Sequence, residues 1–228
     1  MVSARRRPGP FRSLRPGPSP APPRHFRFRL PPGGAASGGG SAMAAGRCPP
    51  TLLLLGAAGG GKSLLVRRLR HIQRETQLSA EEPAELGEPP ATLPTVGTNL
   101  TDLRLPRKVT VRELGGCMGP IWPSYYSECS ALLFVVDASN PTQVSSSCIQ
   151  LLSVLSAAPL ASVPVLVLFN KIDLPCYMSL VEMKSLFRMQ DIVSCATQPI
   201  TMLETSARDG TGLAEVLQWL RTTLKDPC

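Results

Sequence analysis

The sequence is poor in the residues from which most metal and redox sites are built. It has only two histidines, His25 and His71, and neither has a cysteine or aspartate at ligand or triad spacing, so a solvated face is the better reading for His71. Seven cysteines, at 48, 117, 129, 148, 176, 195 and 228, form no C-x-x-C pair. Their odd number argues against a disulfide framework, and a reducing compartment is expected. No stretch approaches the roughly 18 apolar residues of a membrane span. The longest early apolar run, Thr51 to Ala58, leads into a glycine loop rather than a cleavage site. Acidic residues are missing altogether from residues 1–50, which hold nine arginines and leave 15 basic against 16 acidic residues in the remainder. The net charge of +8 therefore belongs to the tail, and nucleic-acid binding is not expected.

That tail repeats Pro-Gly and Pro-Pro steps, carries the triplet Arg5-Arg6-Arg7, and ends in a glycine-rich run from Gly33 to Gly40. Such a segment cannot bury enough apolar surface to offset the entropy of ordering it, so residues 1–50 are expected to be disordered. Arginine-rich, serine-containing and free of acids, the tail also has the composition of a mitochondrial transit peptide, although its prolines oppose the amphipathic helix that import needs. A cytoplasmic protein is the expectation, peripheral at membranes at most. Met43 stands just before the folded part as a second possible start.

From Thr51 to Lys225 short apolar runs alternate with helix-period segments, the pattern of an α/β protein with a mostly parallel sheet covered by helices on both faces. Six strands are predicted, at 51–55, 99–105, 108–114, 131–137, 163–169 and 200–204. Helices are predicted near 62–74, 118–128, 141–157, 179–189 and 212–224. On the last, Trp219 and Leu220 fit core packing. An acidic, proline-bearing loop from Ser79 separates the first helix from the second strand and is expected to be mobile.

Within this frame, Gly56-Ala57-Ala58-Gly59-Gly60-Gly61-Lys62-Ser63 fits G-x-x-x-x-G-K-[ST], between the apolar strand TLLLL and the helical LLVRRLRHI. Glycines let backbone N–H groups wrap a β-phosphate at close range, and the helix N-terminus adds partial positive charge. Lys62 would reach the β- and γ-phosphates and the Ser63 hydroxyl would ligate Mg²⁺. A glycine-rich turn that happens to precede a lysine is the alternative, and both flanks weigh against it. The fold is accordingly read as a P-loop NTPase.

After the fifth predicted strand stands Asn170-Lys171-Ile172-Asp173, where open α/β sheets place their ligands. A carboxylate there accepts hydrogen bonds from the guanine N1–H and exocyclic amino group, which adenine cannot supply in that arrangement, and left unpaired it discriminates strongly. Asn170 would brace the loop and the Lys171 stem would lie along the base. Thr205-Ser206-Ala207, after the last strand, would present N–H groups to the guanine O6, through Ser206 and Ala207. By itself this is a weak signal.

These residues, with Pro94-Thr95-Val96-Gly97, Leu114-Gly115-Gly116, Pro120-Ile121-Trp122, Tyr125-Tyr126 and FNKIDLP from Phe169, resemble the ADP-ribosylation-factor-like (Arf-like) GTPases over residues 51–225. The resemblance implies a single small-GTPase domain that alternates between GDP and GTP forms, with Mg²⁺ as cofactor. It implies effectors that bind the switch regions from Thr95 to Tyr126 and exchange and activating proteins that drive the cycle. The domain is expected to be a monomer. Thr95 would complete the Mg²⁺ shell, and Gly116 would offer its N–H to the γ-phosphate. Because the loop before Thr95 is longer than the family norm, an ordinary loop threonine is the alternative. Trp122 and Tyr125 could serve the core or an effector equally well.

Three departures stand beside the matches. Glu113 replaces the family's aspartate, so the carboxylate that would touch Mg²⁺ through water gains a methylene. Cys117 stands at the usual glutamine position and cannot both accept and donate the bonds that orient an attacking water, so intrinsic hydrolysis should be very slow. The chain begins Met1-Val2 rather than with a myristoylation glycine, and Cys228 makes no C-a-a-X box, so membrane contact is expected to be indirect. Two functions stay open. One is a GTP-binding switch with weak hydrolysis, and the other a pseudo-GTPase binding module locked in one state. A P-loop kinase is disfavoured, since no arginine-rich lid segment is present.

Overall fold

The computed structural model describes residues 49–78 and 86–225. Expectations for the tail up to Cys48, including His25 and Met43, for the loop between Ser79 and Glu85, and for Cys228 fall outside the described residues. The six predicted strands are present: β1 Thr51–Leu55, β2 Thr98–Arg104, β3 Lys108–Leu114, β4 Cys129–Asp137, β5 Val165–Asn170 and β6 Ile200–Thr205. They form one sheet in the order β2-β3-β1-β4-β5-β6, with every neighbouring pair parallel except β2 and β3.

The unbroken leucine run of β1 belongs at the centre of such a sheet, because a parallel strand is covered on both faces and needs no polar side. Leu53 and Leu55 pack on one face with Phe134, Phe169, Trp122 and Phe187, while Leu52 and Leu54 pack on the other with Leu65, Val66, Leu217 and Leu220. All four β1 leucines have no solvent exposure, which is worth about 1.5–3 kcal/mol each relative to leaving them in water. Strand β2 is different in kind: at the sheet edge, its residues 98–100, 102 and 104 are exposed.

The helices are α1 Lys62–Leu78, α2 Val144–Leu155, α3 Leu180–Leu186, α4 Met189–Cys195 and α5 Leu213–Thr223. Two differ from expectation for identifiable reasons. The predicted helix at 118–128 is a 3-10 stretch from Gly116 to Glu128, non-helical at Met118, with Pro120 and Pro123 inside it. Each proline lacks the N–H that an α-helix needs. The segment predicted as one helix at 179–189 ends at Leu186, after a start fixed by the reciprocal Ser179–Glu182 capping box, and α4 follows a turn in which Arg188 takes the left-handed conformation (φ 52°). That break has no glycine to announce it. Among the described residues no helix is long and apolar enough to cross a membrane.

Candidate functional site

The carboxyl ends of the parallel strands converge on one rim: the loop after β1, Glu113 in β3, Asp137 closing β4, Asn170 closing β5 and Thr205 closing β6. Open α/β sheets bind ligands at this end because the loops there splay apart. The glycine loop 56–61 runs directly into α1, and Gly56, Gly59 and Gly61 all have positive φ. At Gly61 (φ 92°) a side chain would also strike the Asn170 amide, so glycine is required twice over.

Asn170 is 1% exposed and holds the site together. Its Nδ2 donates to Gly60 O at 2.8 Å, and its Oδ1 accepts from Ala207 N at 3.0 Å and Thr205 Oγ1 at 3.3 Å. One buried amide therefore links the phosphate loop to the Thr205–Ala207 turn. Beside it the Ser206 hydroxyl donates to Asp173 Oδ1 at 2.8 Å and accepts from Arg208 N and Asp209 N, each at 3.2 Å. Lys171, in the left-handed region at φ 74°, extends its ammonium to Asp137 Oδ2 at 2.6 Å. Its stem, with Asp173, Ala207, Pro89 and Gly61, lines a cleft of about 250 Å³.

At the other end, Lys62 is 5% exposed and donates to the loop carbonyls of Gly56 and Ala57, both at 2.8 Å. Burial lowers its ammonium from 10.5 to about 8, while Glu113 and Cys117 pull it back up. Ser63, Thr95 and Glu113 meet although they lie on α1, the loop before β2, and β3. The Ser63 and Thr95 hydroxyls are 3.0 Å apart, Thr95 Oγ1 donates to Glu113 Oε1 at 2.9 Å, and Ser63 Oγ donates to the same oxygen. Two hydroxyls and a carboxylate are hard oxygen donors of the kind Mg²⁺ takes, and the residues fit that ion. Gly116 lies so close to the Ala57–Ala58 backbone that any side chain there would overlap it. Exposed Cys117 shares a cleft of about 380 Å³ with Lys62, Thr95, Glu113 and Gly116.

The structure thus gathers Gly56, Gly59, Gly60, Gly61, Lys62, Ser63, Thr95, Glu113, Gly116 and Cys117 at one end and Asn170, Lys171, Asp173, Ser206 and Ala207 at the other. Three participants were missed. Asn99, whose Nδ2 lies 3.4 Å from Glu113 Oε2, sits opposite it in the β2–β3 register. Asp137 anchors Lys171 and accepts from Ser139 N and Oγ at 3.0 and 2.6 Å; its place at a strand end was the available signal. Arg68, buried on α1 and bonded to the carbonyls of Gly87, Ala207 and Arg208, gave no signal at all. The two uses of Trp122 and Tyr125 also separate. Trp122 is 2% exposed and donates from Nε1 to Gly115 O at 3.2 Å, so it belongs to the core. Tyr125 is half-buried, with the Arg112 guanidinium 5.2 Å from its ring centroid. On α5, Leu220 is fully buried, whereas Trp219 is only half-buried.

Comparison with known proteins agrees with this geometry. Residues 47–224 match the model of the ADP-ribosylation factor family. Human ADP-ribosylation factor-like protein 16 is 63% identical over 162 residues, which cover 71% of this chain and 80% of that protein. ADP-ribosylation factor-like protein 1 of Drosophila melanogaster is 31% identical over 62% of this chain and 78% of its own length. Among solved structures, the Arl6 small GTPase from Trypanosoma brucei with a bound nucleotide analogue superposes with a TM-score of 0.63 at 20% identity, over 77% of this chain and 97% of that one, a likeness of fold. With the phosphate loop, the base-side turns and this sheet order in one domain, the chain belongs to the ADP-ribosylation factor family of small GTPases.

Proposed function

We propose that the protein is a guanine-nucleotide switch that binds GDP and GTP at this rim, hydrolyses GTP very slowly unaided, and engages effectors through residues 95–126. The observation that carries the reading is the Asn170 bridge. It joins Gly60 of the glycine loop to Ala207 of the turn whose Ser206 holds Asp173, which supports one site with a phosphate side and a base side. The phosphates would lie on the N–H groups of residues 59–63, and the Lys62 ammonium would exchange the Gly56 and Ala57 carbonyls for phosphate oxygens. Asp173 would receive the guanine N–H donors with Ser206 holding its carboxylate in place, while Ala207 N–H faces the base edge. ATP would be disfavoured because adenine supplies Asp173 with neither of the two N–H donors that guanine offers.

Ser63, Thr95 and Glu113 would hold Mg²⁺, which when bound neutralises charge between the β- and γ-phosphates. Glu113 already reaches the Ser63 and Thr95 hydroxyls, so the three would supply oxygen donors to the ion from one place. Cys117 lies beside Lys62 but offers a thiol where two well-oriented hydrogen bonds are needed, which supports slow turnover. Exposed Leu93, Val96, Leu100 and Ile121 form apolar surface around the switches that suits effector contact. Contact with membranes would then come through such partners.

A second reading, a pseudo-GTPase scaffold, is favoured by Glu113 and Cys117, which stand where the family has aspartate and glutamine. The deciding experiment is the nucleotide content of the full chain purified from cells, with titrations of GDP, GTP and ATP and single-turnover hydrolysis with and without Mg²⁺. Tightly held guanine nucleotide with almost no turnover supports the switch. No guanine-nucleotide affinity overturns it in favour of the scaffold.

A further inference from the structure

The segment Leu86–Ala91 lies within the acidic loop that runs from Ser79 to Pro94, and two adjacent arginines of α1 hold it. Arg67 Nη1 donates to Ala91 O at 2.9 Å. Arg68, 3% exposed, directs its guanidinium to three main-chain carbonyls: Nη2 to Gly87 O at 2.9 Å and Arg208 O at 3.0 Å, and Nε to Ala207 O at 3.3 Å. A buried cation is costly unless its donors are met, and a planar guanidinium can serve several carbonyls at once where an ammonium cannot keep the same geometry. One of those acceptors belongs to the segment and two to the turn that follows β6. The Leu86 side chain lies against Gly210, where any side chain would overlap it. Between these anchors Pro89 forms a wall of the 250 Å³ cleft that also contains Lys171, Asp173 and Ala207.

We propose that Leu86–Ala91 is a strap that retains the nucleotide from its base side, with Pro89 closing the cleft over base and ribose. Arg68 is the positioning residue that pins the strap to the base-selecting turn. This rests on the guanine-nucleotide reading above and adds to it a determinant of release remote from the phosphates. Because the strap's hydrogen bonds run to Arg67 and Arg68, and none among the described residues runs to the phosphate loop or to Ser63, Thr95 or Glu113, its effect is expected to be the same for GDP and GTP and the same with Mg²⁺ or with a chelator. A defect at the metal end does not share that signature. Proline suits the role, since its fixed φ leaves the strap less conformational freedom to open.

The test is dissociation of radiolabelled GDP and GTP from the full chain into excess unlabelled nucleotide, in Mg²⁺ and in EDTA, with thermal melts of each variant. Arg68→Ala is expected to release both nucleotides at least about tenfold faster, the scale of losing hydrogen bonds from a charged donor. Arg68→Lys should recover part of that. Pro89→Gly and Leu86→Ala should accelerate release roughly threefold or more, and Pro89→Gly should add little on top of Arg68→Ala, because neighbours in one device are not additive. If Arg68→Ala fails to fold, the two strap variants decide. Unchanged release in Pro89→Gly and Leu86→Ala, or acceleration confined to one nucleotide or to Mg²⁺, overturns the strap and leaves the switch reading standing. Failure of the unvaried chain to hold either nucleotide overturns both.

Discussion

The two ends of the rim are built differently. The end proposed for the base, here the base end, is made of largely buried groups whose hydrogen bonds are closed on one another: Asn170 to Gly60 and Ala207, Ser206 to Asp173, Arg68 to Ala207 and Arg208. The end proposed for the metal, here the metal end, is a meeting of three side chains from separate elements, next to an edge strand and a loop where Leu93 and Val96 are 88% and 91% exposed. Rigid polar networks preserve a choice of base, whereas a switch needs its parts held by few bonds so that a ligand can shift them. The departures from the family pattern, Glu113 and Cys117, both fall at the end proposed for the metal.

Breaking the base end should cost most. Asn170→Ala removes three bonds from a fully enclosed position and leaves Gly60 O and Ala207 N without their partner, at about 1–3 kcal/mol for each unmet group. A marked fall in melting temperature is expected together with loss of nucleotide, and a variant that melts like the parent would contradict the bridge. Asp173→Ala should leave the fold intact and lower guanine-nucleotide affinity by about 10²-fold or more, narrowing the preference over ATP, as paired titrations would reveal.

At the metal end smaller effects are expected. Glu113→Gln keeps the side-chain length but removes the charge. It should weaken the difference in GDP release between Mg²⁺ and EDTA by roughly tenfold, the scale of a charged hydrogen bond, without altering the choice of base. Cys117→Gln restores an amide that can orient water, and single-turnover hydrolysis should rise by about 10²-fold, the low end of positioned proton-transfer and orientation effects. No rise would mean that Glu113 or the loop before Thr95 limits turnover instead.

The smallest test concerns thiols. Burial pushes the Cys129 thiol up to about 11, from 9.0, whereas Cys117, Cys176 and Cys195 are exposed. Among the described cysteines, maleimide near pH 8 should label those three first and Cys129 only on unfolding. Because the unfolded chain releases the Cys129 proton at lower pH than the folded one, its contribution to stability is complete below pH 9.0 and is lost as pH rises toward about 11.

Much of this was legible because the chemistry is local. The phosphate loop, Asn170 to Asp173 and the Thr205 turn are contiguous motifs at strand ends, and continuous apolar runs such as TLLLL and VLVLF mark central parallel strands wherever they occur. The prolines at 120 and 123 were also in plain view and argued against the α-helix predicted there. What could not be read depends on distance in the chain. Arg68 is an ordinary helix-face arginine until the fold brings Gly87 and Arg208 to it, residues separated from it by 19 and 140 positions. Asn99 gains meaning only from the register of the hairpin. Arg188 takes a left-handed turn without the glycine that would have signalled it, because the ends of α3 and α4 hold it there.

The indole of Trp122 gives the molecule an optical reporter of its own. It is enclosed in the core but hydrogen-bonded to Gly115 O, and Gly115 N in turn bonds Gly97 O on the neighbouring switch at 3.0 Å. A rearrangement that parts Gly115 from Gly97 disturbs the residue whose carbonyl this indole senses. Its emission should therefore follow the conformational cycle without an added dye, and the half-buried Trp219 on α5, at the far edge of the sheet beside Thr201, supplies the steady reference.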